Sequence, residues 1–111
     1  MITVAETTEY SRRAKKLLSE QERNDLIAYL AAHPEAGDVM EGTGGVRKVR
    51  WAREGKGKSG GVRVVYFYHN EGMPLYLLTL YGKSEKDNLS AGERNDLSKL
   101  VSILVRAAVK R

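Results

Sequence analysis

Lys48 and Arg50 stand two residues apart in a run, VRKVRWAR, where they alternate with Val49 and Trp51, and Arg63 lies near the start of a second run, VRVVYFY. In an extended strand a spacing of two places both side chains on one face, roughly 6.5 to 7 Å apart. That separation suits successive contacts along a phosphate backbone. Arginine offers a planar fork to phosphate oxygens, and lysine a compact charge whose protonation is adjustable. If the two runs pair as a hairpin, Arg63 approaches the same surface. The chemistry expected of this group is capture and polarisation of a phosphodiester.

The surrounding charge supports that expectation. Of the 19 Lys and Arg residues, seven fall within residues 47–63 against one of the 14 Asp and Glu, so twelve basic and thirteen acidic residues remain elsewhere. The net charge of +5 is therefore local, and a basic region in a nearly neutral chain favours a polyanionic partner. Solubility alone accounts for a modest positive charge. Clustering shifts the balance toward nucleic acid.

The link between the runs, EGKGKSGG, is read as a glycine-rich turn. It is rich in Gly and Lys but lacks the spacing of a Walker loop and precedes a strand instead of a helix. Two readings stay open, a flexible soluble turn and a basic flap in which Lys56 and Lys58 cover a nucleic acid.

Other chemistries find little support. Cysteine is absent, which excludes disulfides and thiolate metal sites and fits a reducing compartment. His33 and His69 have no second histidine at ligand spacing, so no metal site and no cofactor are expected. No Ser-His-Asp order or paired carboxylates suggest a hydrolase of those kinds. Tyr66, Phe67, Tyr68 and Tyr76 have the types that stack on bases, although strand aromatics more often pack a core.

The elements that must position these residues follow from periodicity. Residues 2–5, ITVA, read as a short strand. Thr7 or Thr8 is placed to cap a helix carrying Tyr10, Ala14, Leu17 and Leu18. Ser19 and Glu22 have capping-box spacing, so a second helix with Leu26, Ile27 and Leu30 on one side begins there and stops before Pro34. Residues 39–45 read as a glycine-rich connection. Three strands are expected next, the last being LYLLTLY at residues 75–81, joined by short links as an antiparallel meander. Ser90 and Glu93 repeat the capping spacing before a final helix whose apolar stripe includes Leu97, Leu100, Val101 and Leu104. Core packing explains that stripe, and Ile103 with Val105 widens it enough to leave room for a partner.

The fold class is thus α+β, an N-terminal strand, two helices, a three-stranded antiparallel meander and a C-terminal helix, all within one domain over residues 1–111. The first ten residues lack the pattern of a signal peptide, and no apolar stretch is long enough to span a bilayer, so a soluble cytoplasmic protein without membrane association is expected.

Three segments in order, GDVMEGTGGVRKVRWA, GKGKSGGVRVVYFY and LYLLTLYGKSEKDNLS, resemble the RelE/HigB superfamily of toxins from bacterial type II toxin-antitoxin systems, and its HigB-like branch in particular. The resemblance runs from the helical pair to the last helix. It implies a compact fold of the microbial-ribonuclease type and an mRNA interferase, a toxin that cuts messenger RNA on the ribosome. It also implies a cognate antitoxin that neutralises the toxin by binding.

Residue by residue, Lys48 and Arg50 resemble the basic pair of the family's second strand, and Arg63 the arginine of its GxRxxY pattern. Lys83 is retained after the glycine of YGKS, whereas Ser84 stands where such toxins carry a catalytic arginine and Ser90 near their functional tyrosine. Lys83 and Lys86 are expected to supply the missing charge. The implied reaction is metal-independent attack of the RNA 2′-hydroxyl on the adjacent phosphate. Arg50 and Arg63 would stabilise the phosphoryl charge, Lys48 would act as base, and Lys83 would protonate the leaving oxygen. Arg47, Lys56, Lys58 and Lys86 are the further RNA-binding candidates.

Two other readings use the same residues. A non-enzymatic RNA- or ribosome-binding module would show salt-sensitive association without strand scission. A protein-interaction domain would dock a partner on its last helix. Direct DNA binding is not expected outside an antitoxin complex, because no helix-turn-helix is apparent and the charge falls on strands.

Overall fold

The computed structural model describes residues 2–53, 57–83, 85, 86 and 88–109. Its elements in chain order are β1 (Val4–Glu6), α1 (Thr8–Leu17), α2 (Glu20–Ala32), β2 (Asp38–Val39), β3 (Val46–Arg53), β4 (Gly57–Phe67), β5 (Leu75–Gly82) and α3 (Ala91–Val109). The α+β class holds, with three helices on a mixed five-stranded sheet of order β1-β5-β4-β3-β2.

The helix starts are locally encoded. Thr7 caps α1, its Oγ1 accepting from the Tyr10 N–H at 3.1 Å while donating to the Leu78 carbonyl at 2.9 Å. One hydroxyl thereby closes a helix and ties it to β5. Ser19 and Glu22 form the expected capping box, each side chain accepting from the other's backbone N–H.

The sheet departs from the expected meander in three ways. β1 runs parallel to β5, with Val4 opposite Leu75. A two-residue strand, β2, begins just before the stretch read as a connection, takes in its first residue, and pairs Asp38 with Lys48 and Val39 with Arg47. Thr43 makes this possible: its buried Oγ1 donates to the Met40 carbonyl and accepts from the Val46 N–H, folding the chain back while Gly42, Gly44 and Gly45 take positive φ. Lastly, β4 begins at Gly57, so most of the segment read as a turn is strand, because Arg53 and Gly57 extend the β3–β4 ladder.

Alternation along the strands gives two apolar layers. On one face Val62, Val64, Tyr66, Leu75, Leu77 and Leu80 pack with Tyr10, Ala14 and Leu18 of the first helix region and Leu26 and Leu30 of α2. On the other, Val46, Val65, Phe67, Leu78 and Tyr81 pack with Val101 of α3.

A bulge in β5 sets which residues reach which layer. Val65 pairs with Thr79 but Tyr66 pairs with Leu77, so Leu78 is the extra residue. The layer assignments shift accordingly from Leu75 and Leu77 to Leu80 on one side, and from Leu78 to Tyr81 on the other. Strict alternation from Leu75 would have sent Tyr81 to the α1–α2 side.

Candidate nucleic-acid interface

Arg50 of β3 lies directly opposite Arg63 of β4, and Arg63 lies directly opposite Tyr81 of β5. Directly paired residues share a face, so the three form a row across the α3 side of the sheet at the interstrand spacing of about 4.8 Å. Lys48 stands two residues from Arg50 on the same face, opposite Val65. The helix α3 buries Val65 and Phe67 but leaves Arg50 exposed and Lys48 and Arg63 half-buried. Basic strand positions thus border an apolar floor.

The segment entering α3 adds to this group. Lys48 Nζ donates to Asn88 Oδ1 at 3.2 Å. Lys86 Nζ lies 5.5 Å over the Tyr81 ring and donates to Glu93 Oε2 at 2.7 Å. Glu93 also accepts from the Ser90 N–H, and its own N–H donates to Ser90 Oγ, which completes the capping box expected at the start of α3. Arg94, the next residue, donates from Nη1 to the Glu41 carbonyl at 3.4 Å.

The electrostatics follow this packing. The Lys86 hydrogen bond, then that of the Ser90 N–H, holds the Glu93 carboxyl below its ordinary range. Burial pushes the Tyr81 phenol up, opposed by the positive charges of Arg63, Lys86 and Arg94 and reinforced by Glu93. Tyr81 is therefore a protonated donor among cations.

Lys48, Arg50 and Arg63 are brought together as the alternation required, and Lys86 joins them through Tyr81. Lys83 lies at the border of the group, two residues past Tyr81 in an exposed turn, its N–H donating to the Gly61 carbonyl at 3.4 Å. Arg47 is on the opposite face. Its Nη1 donates to the Gly37 and Glu35 carbonyls at 2.7 and 3.2 Å, and its Nη2 is 3.7 Å from Glu35 Oε2. Its place in the alternation, in phase with Val49 and Trp51, already implied that separation. Lys56 and Ser84 lie outside the described residues, as does the Lys58 side chain. Ser90 serves as the α3 cap.

Sequence reasoning missed Tyr81, Asn88 and Arg94 as neighbours of this site and read Glu93 only as a cap. Their proximity depends on the β5 bulge and on the docking of α3, which no local pattern announces. Among the described residues no cluster of three or more His, Cys, Asp or Glu could hold a metal ion, and no helix is long and apolar enough to cross a membrane.

A family model described as the RelE toxin of the RelE / RelB toxin-antitoxin system matches residues 2–111. The chain belongs to the RelE toxin family. Membership makes it the toxin of a toxin-antitoxin pair, with a cognate antitoxin as partner. In this RelE-family toxin the strand-borne cations occupy the part of the sheet that α3 leaves open.

Proposed function

We propose that this RelE-family toxin inhibits translation by cutting messenger RNA on the ribosome. The observation that carries the reading is the direct pairing of exposed Arg50 with half-buried Arg63 on the α3 face of the sheet, beside Lys48. Two guanidiniums at adjacent strands can hold the nonbridging oxygens of one phosphate, where negative charge accumulates as the bond breaks.

In the proposed reaction the 2′-hydroxyl oxygen bonds to the adjacent phosphorus while Lys48 accepts its proton. The bond from phosphorus to the 5′-oxygen breaks, and Lys83 protonates that oxygen. The products are a 2′,3′-cyclic phosphate and a 5′-hydroxyl, and no metal is required by this route. Positioning of the message by the ribosome supplies the alignment that a shallow, open site does not, and alignment alone can contribute several orders of magnitude.

Primer-extension mapping of a defined message in a reconstituted translation reaction tests the proposal. New 3′ ends at the ribosomal A site, requiring translation and reduced about 100- to 1,000-fold by Arg63→Ala, are expected. An intact message under inhibited translation would replace the nuclease by a ribosome-binding module. Cleavage of free RNA as fast as of translated message would remove ribosome dependence.

A further inference from the structure

On the α3 side of the sheet three buried donors, Arg63 Nη1, Tyr81 Oη and Arg94 Nε, have no acceptor among the described residues. They come from β4, β5 and the first turn of α3, elements that meet only in the folded chain. Arg63 and Tyr81 are cross-strand partners, and the charges of both Arg63 and Arg94 act on the Tyr81 hydroxyl. Buried donors without acceptors are costly and call for an unseen partner. Water could accept from two of them but brings no negative charge to the two half-buried arginines. The nearby carboxylate, Glu93, is already bound by Lys86 and by the Ser90 N–H. An oxyanion, with several lone pairs and a negative charge, can accept from more than one such donor at once.

A surface ion pair lies beside this group. Lys86 stands above the Tyr81 ring, and its ion pair with Glu93 joins side chains 34% and 42% exposed. Such a pair exchanges partners at little cost. A phosphate arriving along the Arg50–Arg63 row can take Lys86 from Glu93 and approach Tyr81.

We propose that Tyr81 and Arg94 join Arg63 in a closed subsite for one phosphate group, entered by displacing the Lys86–Glu93 ion pair. That the phosphate is one of RNA rests on the nuclease reading above. The subsite adds two binding residues to that reading and assigns Glu93 the part of an internal competitor.

Titration with inorganic phosphate, followed by calorimetry and by the 13Cζ resonance of Tyr81, separates the two ideas. The native chain is expected to bind phosphate with a shift of that resonance. Tyr81→Phe, which removes one hydroxyl and keeps the ring, weakens binding about tenfold, as loss of one charge-assisted hydrogen bond should. Arg94→Gln weakens it as well. Glu93→Gln, which can still cap α3 but gives up the charge, tightens it several-fold. Equal phosphate affinity in the native chain, Tyr81→Phe and Glu93→Gln overturns the subsite, and it does so even if the toxin cuts messenger RNA. Phosphate binding that depends on Tyr81 and Arg94 sustains the subsite even if no RNA is cut, an outcome that removes only the nuclease.

Discussion

Three buried tyrosines show how one residue type takes different roles. Tyr66 Oη accepts from the Gly37 N–H at 2.8 Å and donates to the Pro34 carbonyl at 3.0 Å, fastening the turn before β2 to the sheet. Tyr10 Oη, on the same side of the sheet, has no partner among the described residues. Tyr66→Phe should therefore cost about 1–3 kcal/mol, because it strands a donor and an acceptor, whereas Tyr10→Phe should cost little. Burial raises the phenols of Tyr10, Tyr66 and Tyr81 above their ordinary value of 10.0. A raised folded value means that the stabilisation is complete below about pH 10 and is lost as pH rises, since the unfolded chain ionises first. Urea denaturation of the native chain and both variants from pH 8 to 11 checks these outcomes, with Tyr10→Phe expected to lose stability less steeply above pH 10.

At the scale of elements, Thr7 is the most connected cap. Its hydroxyl serves both the first turn of α1 and the Leu78 carbonyl at the β5 bulge, whereas Ser19 serves α2 alone. Thr7→Ala is expected to cost about 2 kcal/mol and Ser19→Ala about 1 kcal/mol, measured by equilibrium unfolding in urea. The same contrast explains what could be read from sequence. Caps at Ser19 and Ser90, and Thr7 as one of two candidates with Thr8, were legible because donor and acceptor lie three residues apart. The joint face of Lys48 and Arg50 was legible because alternation is local. The bulge at Leu78 was not, since a bulge is defined by the partner strand, and LYLLTLY reads as apolar on both sides. Tyr81 was consequently not singled out, and its place opposite Arg63 stayed hidden. β2 was obscured by its two-residue length and by the glycines that follow it.

For the molecule as a whole, the sheet separates two tasks. The α1–α2 side is a packed apolar layer, and the α3 side carries both a second layer and the open cationic row. A single strand of RNA with one phosphate on the Arg50–Arg63 pair and the next on Lys48 should bind with a log–log salt slope of about −1.4, given about −0.7 per phosphate contact. Lys48→Ala should reduce the slope by about 0.7, while Arg47→Ala, on the opposite face, should leave it unchanged. Binding isotherms of a 2′-deoxy oligonucleotide between 50 and 300 mM salt would measure both, and an Arg47 effect equal to that of Lys48 would contradict a one-faced interface.

The parallel pairing of β1 with β5 also governs the order of assembly. Val4 faces Leu75, and the Leu75 N–H donates to the Thr3 carbonyl, so this edge of the sheet joins segments some seventy residues apart. The β3–β4–β5 hairpins need only local closure and are expected to form early, whereas docking of β1 and α1 must await the return of a distant end. Until then the Leu77 and Leu80 layer stands bare beside an unpaired β5 edge. During synthesis, the cationic row can exist on a sheet that is still sticky, which makes the interval before the N-terminal strand docks the period of greatest aggregation risk.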